Sequence, residues 1–375
     1  MKNIAIVSNT SWYVYNFRKG FLSELIRQGY NVFVIAPKDK FVVEIELLGC
    51  SFIELKQIQN KGKNPFQEML LTLELRKYFK SRKIDVALFY TPKINIFGSI
   101  ATKFSSTKGV ATINGLGFVF NEGQPKWLQT VVKNLYRFAF SGLPAVFFQN
   151  EEDKEFFIKS KILCGKKQCI CVVRGSGVNL DEFYQKKNNP GSPSALTFLL
   201  SARLIREKGI NEYLEAAKIV KQKYANANFA LLGVVADNPS AIPVEVITQL
   251  YKEGVIDYWG SSDNMSETFN KVDIMVLPSY YREGIPKVLI EALSKGLPVI
   301  TTDNVGCRET VEDGKNGYLI PVKNIHALSE AMEKMILLTP EQRNEMGEYS
   351  RRKAVNEFDE KSNHLKYVDL IKALP

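Results

Sequence analysis

Two glutamates eight residues apart bracket the most chemically loaded stretch of this 375-residue chain: Glu283, within Ser-Tyr-Tyr-Arg-Glu-Gly-Ile-Pro, and Glu291, at the end of Lys-Val-Leu-Ile-Glu. Helix rises 1.5 Å per residue, so eight residues separate two carboxylates by about 12 Å. They are too far apart to share a proton and well placed to touch opposite ends of an extended ligand. Between them, Gly284 lets the backbone come close to a ligand and Pro286 suits a first helical turn. Residues 273–277 read as a buried strand, and Val288, Leu289, Ala292 and Leu293 have helical spacing. A loop from a strand's carboxyl end to a helix's amino end is where open α/β sheets bind anions. On the two acids alone a simpler account is favoured: Glu283 caps the helix and Glu291 lies on its solvated face.

The elements that must position this loop alternate as strand and helix along the chain, which argues for α/β architecture with parallel sheets. Strands are expected at 4–8, 31–36, 51–55, 84–90, 110–114, 145–150 and 168–174. After a Pro-, Gly- and Lys-containing linker at 181–194 they resume at 196–201, 228–233, 255–259, 273–277 and 298–301. The first helix is expected over 16–28, leaving Asn9-Thr-Ser-Trp-Tyr-Val-Tyr15 as a loop. Asn114-Gly-Leu-Gly117 follows a strand; its glycines permit close backbone approach, and a plain tight turn accounts for them equally. Helices over 325–358 and a last one over 361–373 finish the chain.

At 375 residues the chain is long enough for two globular domains, and with 45% hydrophobic and 24% charged residues it shows no disorder signature. No apolar run approaches the ~20 residues of a membrane span, and the start has no secretory layout, so a cytoplasmic protein is expected. Five cysteines, with Cys169 and Cys171 on one side of a strand and Cys50, Cys164 and Cys307 scattered, give no Cys-x2-Cys pair, and the only histidines are His326 and His364. Neither a disulfide nor a zinc site is expected. Residues 1–180 hold 26 Lys plus Arg against 13 Asp plus Glu, and the remainder 24 against 27. The basic first half should meet something anionic; no nucleic-acid module is present, which leaves a membrane surface. Residues 125–140 interleave Trp127, Leu128, Val131 and Phe138 with Lys126, Lys133 and Arg137, as an interfacial helix does, although a core helix could look similar.

Glu283-Gly-Ile-Pro-Lys-Val-Leu-Ile-Glu291 resembles the glutamate-x7-glutamate signature of family 4 retaining glycosyltransferases, enzymes of GT-B fold. Its Ser-Tyr-Tyr-Arg-Glu-Gly-Ile-Pro form is similar to a branch that builds bacterial surface polysaccharides and lipid-linked oligosaccharides, including N-acetylgalactosaminyl transferases of protein N-glycosylation. Ala202-Arg-Leu-Ile-Arg-Glu-Lys-Gly209 resembles the family's arginine and lysine pair, and Gly175-Ser-Gly-Val-Asn-Leu-Asp-Glu-Phe183, Glu309 and Asn316-Gly317 agree in order.

The resemblance implies two Rossmann-like doubly wound domains facing a central cleft: 1–180 for the acceptor, 195–357 for a nucleotide-sugar donor, and a final segment, 358–375, crossing back to the first. It implies that Arg203 and Lys208 neutralise the leaving diphosphate without a metal or other cofactor; no Asp-x-Asp motif is present. The backbone at Gly284, Ile285, Pro286 and Lys287 would assist, Glu283 would position the donor sugar, Glu291 would accept from the ribose, and Gly260 would lie near the base, with UDP expected. The loop at 9–15 lacks the glycines many relatives carry, so Asn9, Tyr13 and Tyr15, with Asn114 and Gly115, are expected on the acceptor side. Where relatives often have a sugar-contacting histidine, this chain has Pro92 and Lys93. The expected acceptor is a saccharide on a polyprenyl diphosphate at the inner membrane's cytoplasmic face, with peripheral attachment to anionic lipid. Two other readings stay open, a nucleotide-sugar epimerase of similar fold and a non-catalytic glycan-binding assembly partner. The first would need further acid/base residues, and the second would not need Arg203, Lys208, Glu283 and Glu291 together.

Overall fold

The computed structural model describes all residues except 59–63, 121–123, 164–167, 186–195 and 236–238. Cys164 and most of the linker expected at 181–194 lie outside the described residues. The chain divides into two compact units, residues 1–176 with 360–375 and residues 177–359.

The first unit runs β1 (Asn3–Val7), α1 (Ser11–Arg27), β2 (Asn31–Ala36), α2 (Val42–Leu47), β3 (Ser51–Glu54), α3 (Pro65–Ser81), β4 (Val86–Tyr90), α4 (Pro92–Thr102), β5 (Lys108–Ile113), α5 (Lys126–Phe140), β6 (Ala145–Phe148), α6 (Glu151–Lys159) and β7 (Cys169–Val172). Its strands form one parallel sheet in the order β3-β2-β1-β4-β5-β6-β7. The order reverses between β1 and β4, which makes the carboxyl ends of those two strands the topological switch point. Every residue of β4 and β6 is buried, as parallel strands covered on both faces require.

The second unit runs β8 (Thr197–Ser201), α7 (Ile210–Lys223), β9 (Asn228–Leu232), α8 (Val244–Lys252), β10 (Asp257–Gly260), α9 (Met265–Thr268), β11 (Ile274–Leu277), α10 (Lys287–Ser294), β12 (Val299–Thr302), β13 (Gly317–Ile320), α11 (Ile325–Leu337) and α12 (Pro340–Glu357). Its parallel sheet has the order β10-β9-β8-β11-β12-β13, with the switch between β8 and β11. Tyr213 of α7 ties the layers together, its hydroxyl donating to the Phe198 and Ala230 carbonyls at 3.0 and 2.9 Å. Helix α13 (Glu360–Ala373) belongs to the first unit. There Tyr367 stacks on Phe147 at 4.1 Å and its hydroxyl bonds the Thr112 hydroxyl at 3.0 Å.

One local expectation is corrected, and two helices appear where none was expected or excluded. The stretch 9–15 is not a loop: α1 starts at Ser11, capped by the Thr10 hydroxyl, which accepts from the Tyr13 amide at 3.1 Å. Asp39 accepts from the Trp12 amide at 2.7 Å, and Tyr13 stacks on Phe17 at 4.8 Å, an i,i+4 contact that offsets the modest helix propensity of aromatics. Helix α4 follows β4 immediately, entered through Thr91 at φ 76 and Pro92 in the first turn; Pro92, Asn95 and Gly98 break the spacing that would have announced it. Helix α6 is short and charged, and its sequence carries little periodicity.

Candidate active site

The two loops that matter leave the carboxyl ends of β8 and β11, on either side of the second sheet's switch point. Arg203 follows β8, and Lys208 ends the short 3-10 turn Arg206–Lys208 before α7. Gly209 then takes φ 75, and a Cβ there would sit 2.2 Å from the Pro278 carbonyl oxygen. Only glycine lets the loop after β8 lie against the loop after β11. The amides of Tyr280 and Tyr281 donate to the Glu207 carbonyl at 2.9 and 3.0 Å, tying the loops backbone to backbone. From the other side Asn304 donates to the Tyr281 carbonyl at 3.2 Å, and Gly306, at φ 86, leaves room for the Gly284 carbonyl.

This scaffold brings three predicted residues, Arg203, Lys208 and Glu283, into one cluster. Lys208, 8% exposed, reaches both carboxylate oxygens of Glu283 at 2.5 and 2.6 Å. Buried Ser279 donates to the same carboxylate at 3.3 Å. Tyr281 completes the group: Lys208 lies 5.7 Å from its ring centroid, and the Arg203 charge acts on its hydroxyl. Burial pushes the Tyr281 hydroxyl up, while Arg203 pulls it down. Behind Glu283, burial and that carboxylate push the Cys307 thiol up to about 12, so it is inert at neutral pH.

Both simpler accounts of the glutamates fail. Glu283 does not cap α10, which begins after Pro286 with no side-chain cap and no acid in its first turn. That leaves the helix's leading amides and positive dipole end for a ligand. Glu291 is not on a solvated face; it is 7% exposed, and burial raises its carboxyl from 4.5 to about 7 even though Lys287, 3.6 Å away, pulls it down. Ile285 is buried beside the turn. Gly260 ends β10 at φ 66 and its carbonyl accepts from the Gly233 amide at 2.7 Å. Among the described residues no group of three or more His, Cys, Asp or Glu could hold a metal ion.

In the first unit, Asn114 donates to the Tyr13 hydroxyl at 2.6 Å, and Gly115 beside it takes φ 114. Tyr15 turns elsewhere and stacks on Phe41 at 5.3 Å. Asn9 is half-buried at the entrance to α1. Sequence reasoning missed Ser279 and Tyr281, although both stand in the quoted motif, and it missed Arg18. Arg18 interrupts the stripe Val14, Phe21, Leu22 and Leu25, and a charge inside an apolar stripe was the available signal.

Residues 165–353 match the family described as Glycosyl transferases group 1, and residues 3–150 match Glycosyl transferase 4-like. The chain is a group 1 glycosyltransferase. The glycosyltransferase is 29% identical over 346 residues, covering 89% of each chain, to the N,N'-diacetylbacillosaminyl-diphospho-undecaprenol alpha-1,3-N-acetylgalactosaminyltransferase of Campylobacter jejuni. It is 27% identical over 320 residues, 82% of this chain and 79% of the other, to the UDP-Gal:alpha-D-GlcNAc-diphosphoundecaprenol alpha-1,3-galactosyltransferase of Escherichia coli. Solved structures share its GT-B fold: a glycosyltransferase from Rickettsia africae at TM-score 0.79 and 20% identity, over 100% of this chain and 98% of that one, and HepE of Anabaena in complex with UDP-glucose at TM-score 0.79 and 16% identity, over the whole of both chains.

Proposed function

We propose that this glycosyltransferase moves a sugar, with retention at the anomeric carbon, from a UDP-sugar to a saccharide carried on a polyprenyl diphosphate. The observation that carries the reading is the Arg203, Tyr281, Lys208 and Glu283 cluster at the second unit's switch point. Cleaving the bond to the sugar leaves charge on the nucleotide diphosphate. Arg203, with its planar fork, and Lys208, as a point charge, neutralise that charge as it develops, and the leading amides of α10 assist, so the step needs no metal. Glu283 positions the donor sugar, Glu291 accepts hydrogen bonds from the ribose, and Gly260 lies beside the base. The names of the Campylobacter and Escherichia relatives, both of which act on diphosphate-linked undecaprenol saccharides, support the acceptor class, and an N-acetylhexosamine is the first donor sugar to test.

The first unit takes the acceptor, through Asn9, Tyr13, Asn114 and Gly115, and rests on the cytoplasmic face of an anionic membrane. No helix among the described residues is long and apolar enough to cross one. Helix α5 is core on one face and not on the other: Tyr136, Ala139 and Phe140 are buried, while Trp127, Val131 and Phe138 are exposed, with Lys126, Lys133 and Arg137 on the same helix. That pattern inserts apolar side chains at headgroup depth and sets cations against lipid phosphate.

The test is transfer assayed with a panel of nucleotide sugars and a polyprenyl-diphosphate saccharide, with and without chelator. One donor should be consumed, only with acceptor present and in either chelator condition. Glu283→Ala and Arg203→Ala should abolish the reaction with the fold intact. Epimerisation of the donor without acceptor overturns the reading.

A further inference from the structure

The first unit holds a buried cation with which no acid among the described residues pairs. Arg18, in the second turn of α1, is 3% exposed. Its guanidinium carbon lies 4.1 Å from the Tyr90 ring centroid and 5.9 Å from that of Tyr13, and its Nη2 donates to the Tyr13 hydroxyl at 3.1 Å. Its Nε has no partner, and no carboxylate among the described residues pairs with it. Desolvating an ion costs more than a desolvated cation–π contact returns. Apolar residues (Val14, Phe21, Leu22 and Leu25) fill the rest of that stripe, so the charge is kept at a cost to stability.

Its surroundings point to a ligand. Strand register sets Ser8 beside Tyr90, since Val7 pairs with Phe89, and Tyr90 pairs with Thr112 one residue before the end of β5. The cluster therefore sits at the carboxyl ends of β1, β4 and β5, across the first sheet's switch point. The Ser8 hydroxyl, the Tyr90 hydroxyl, the Thr91 hydroxyl and the Asn114 side-chain oxygen are all buried there without a partner. Native proteins seldom leave so many buried polar atoms unmatched in one place. The Tyr13 hydroxyl accepts from both Arg18 and Asn114, which leaves its own proton to be given to a third group. Gly115 and Gly117, at φ 114 and 74, shape the adjoining loop.

We propose that this cluster is a subsite for a diphosphate, in which the Tyr13 hydroxyl and Asn114 touch phosphate oxygens and Arg18 is the positioning residue that orients and polarises Tyr13. The inference rests on the reading that the first unit receives a diphosphate-linked acceptor. A nucleotide's diphosphate has the same chemistry, and the test separates the two.

Inorganic diphosphate is titrated calorimetrically into the full chain carrying Arg203→Ala and Lys208→Ala, so that the second unit's cations do not contribute. Binding is expected, weakened at least tenfold by Tyr13→Phe, by Asn114→Ala and by Arg18→Met, and partly rescued by Arg18→Lys. Arg18→Met added to Tyr13→Phe should cost no more than either alone, because the arginine acts through the tyrosine. If Arg18→Met does not fold, the Tyr13 and Asn114 variants decide. Indifference to added UDP assigns the subsite to the acceptor, and displacement by UDP assigns it to the nucleotide. Absence of binding, or affinity unchanged in Tyr13→Phe and Asn114→Ala, overturns the subsite. Transfer activity of the unsubstituted chain is measured separately, so failure of the subsite and failure of the transferase reading are told apart.

Discussion

Lys208 Nζ lies 2.5 and 2.6 Å from the two carboxylate oxygens of Glu283, so the cation proposed for the donor's diphosphate is held by the acid proposed for the donor's sugar. A bound donor must draw Lys208 toward phosphate and leave Glu283 free for a sugar hydroxyl. Neither charge is well solvated, with side chains 10% and 20% exposed. Breaking such a pair from one side leaves the other charge stranded, at a cost of roughly 3–5 kcal/mol for a fully buried case and less here.

Lys208→Ala should therefore lower both the midpoint of thermal unfolding and kcat/KM for the donor, the latter by about 10²–10³-fold. Adding Glu283→Gln should recover stability, because the stranded carboxylate is gone, without recovering activity. If the double variant transfers sugar as well as the wild type, the charge role of the pair fails.

With Glu291 in its proposed place at the ribose, the donor step should depend on pH. Its carboxyl is raised from 4.5 to about 7 by burial, with Lys287 pulling the other way and Glu182 adding to the rise. The folded state thus prefers the protonated form, so Glu291's contribution to stability is full below pH 4.5 and is lost as pH rises through 7. Ribose hydroxyls donate to the ionised form, so donor KM should fall between pH 6 and 8. Glu291→Gln should flatten that dependence, remove the alkaline loss of stability and raise KM at pH 8 by about 10–100-fold, the worth of a charge-assisted hydrogen bond. Initial rates across that range, with unfolding followed in parallel, check both arms.

What could be read in the sequence divides along a physical line. Strands such as Asn31–Ala36 and Ile274–Leu277 are short apolar runs with turn residues beyond them, and burial on both faces makes them announce themselves. Helix α1 did not, because its start depends on the Thr10 cap and on Asp39 accepting from Trp12, a contact 27 residues distant in the chain. In the site, Glu283, Lys208 and Arg203 are legible as a motif, but their mutual pairing is not. It is created by Gly209 and Gly306, which let three loops touch backbone to backbone. Tyr15 shows the converse: adjacent in sequence to the residues around Tyr13, it is carried by helix rotation to another face and stacks on Phe41.

Membrane attachment should follow the exposed face of α5. Trp127 is 68% exposed and Phe138 54%, and Lys103 sits 5.1 Å from the Phe138 ring, where the cation can meet a headgroup phosphate while the ring inserts. Trp127→Glu should reduce co-sedimentation with vesicles containing anionic phospholipid at least tenfold, and Phe138→Ala should do so more weakly. Neither should alter unfolding, since neither side chain is core. Vesicles of neutral lipid should bind poorly throughout, and raising salt should weaken the anionic case. Binding that ignores lipid charge and Trp127 alike would place the contact elsewhere.

Acid should loosen the packing of α13 on the first unit. His364 is buried against Phe21 at 5.4 Å, and burial, with Arg18 as the next cause and Glu24 opposing, lowers its imidazole from 6.5 to about 4. The folded state holds it neutral, so its contribution to stability is complete above pH 6.5 and is lost as pH falls from 6.5 through 4, where the unfolded chain takes the proton first. The ceiling on that loss is about 3 kcal/mol at 1.36 kcal/mol per pKa unit. Trp12 and Trp127 lie in the first unit and Trp259 in the second, so in a Trp259→Phe chain fluorescence follows the first unit alone. Urea unfolding of that chain should lose stability steeply between pH 6.5 and 4, and adding His364→Gln should make the slope shallower without changing stability above pH 7 by more than the lost packing. An unchanged slope would mean that the acid response comes from the carboxylates instead, and that α13 is not where the first unit yields.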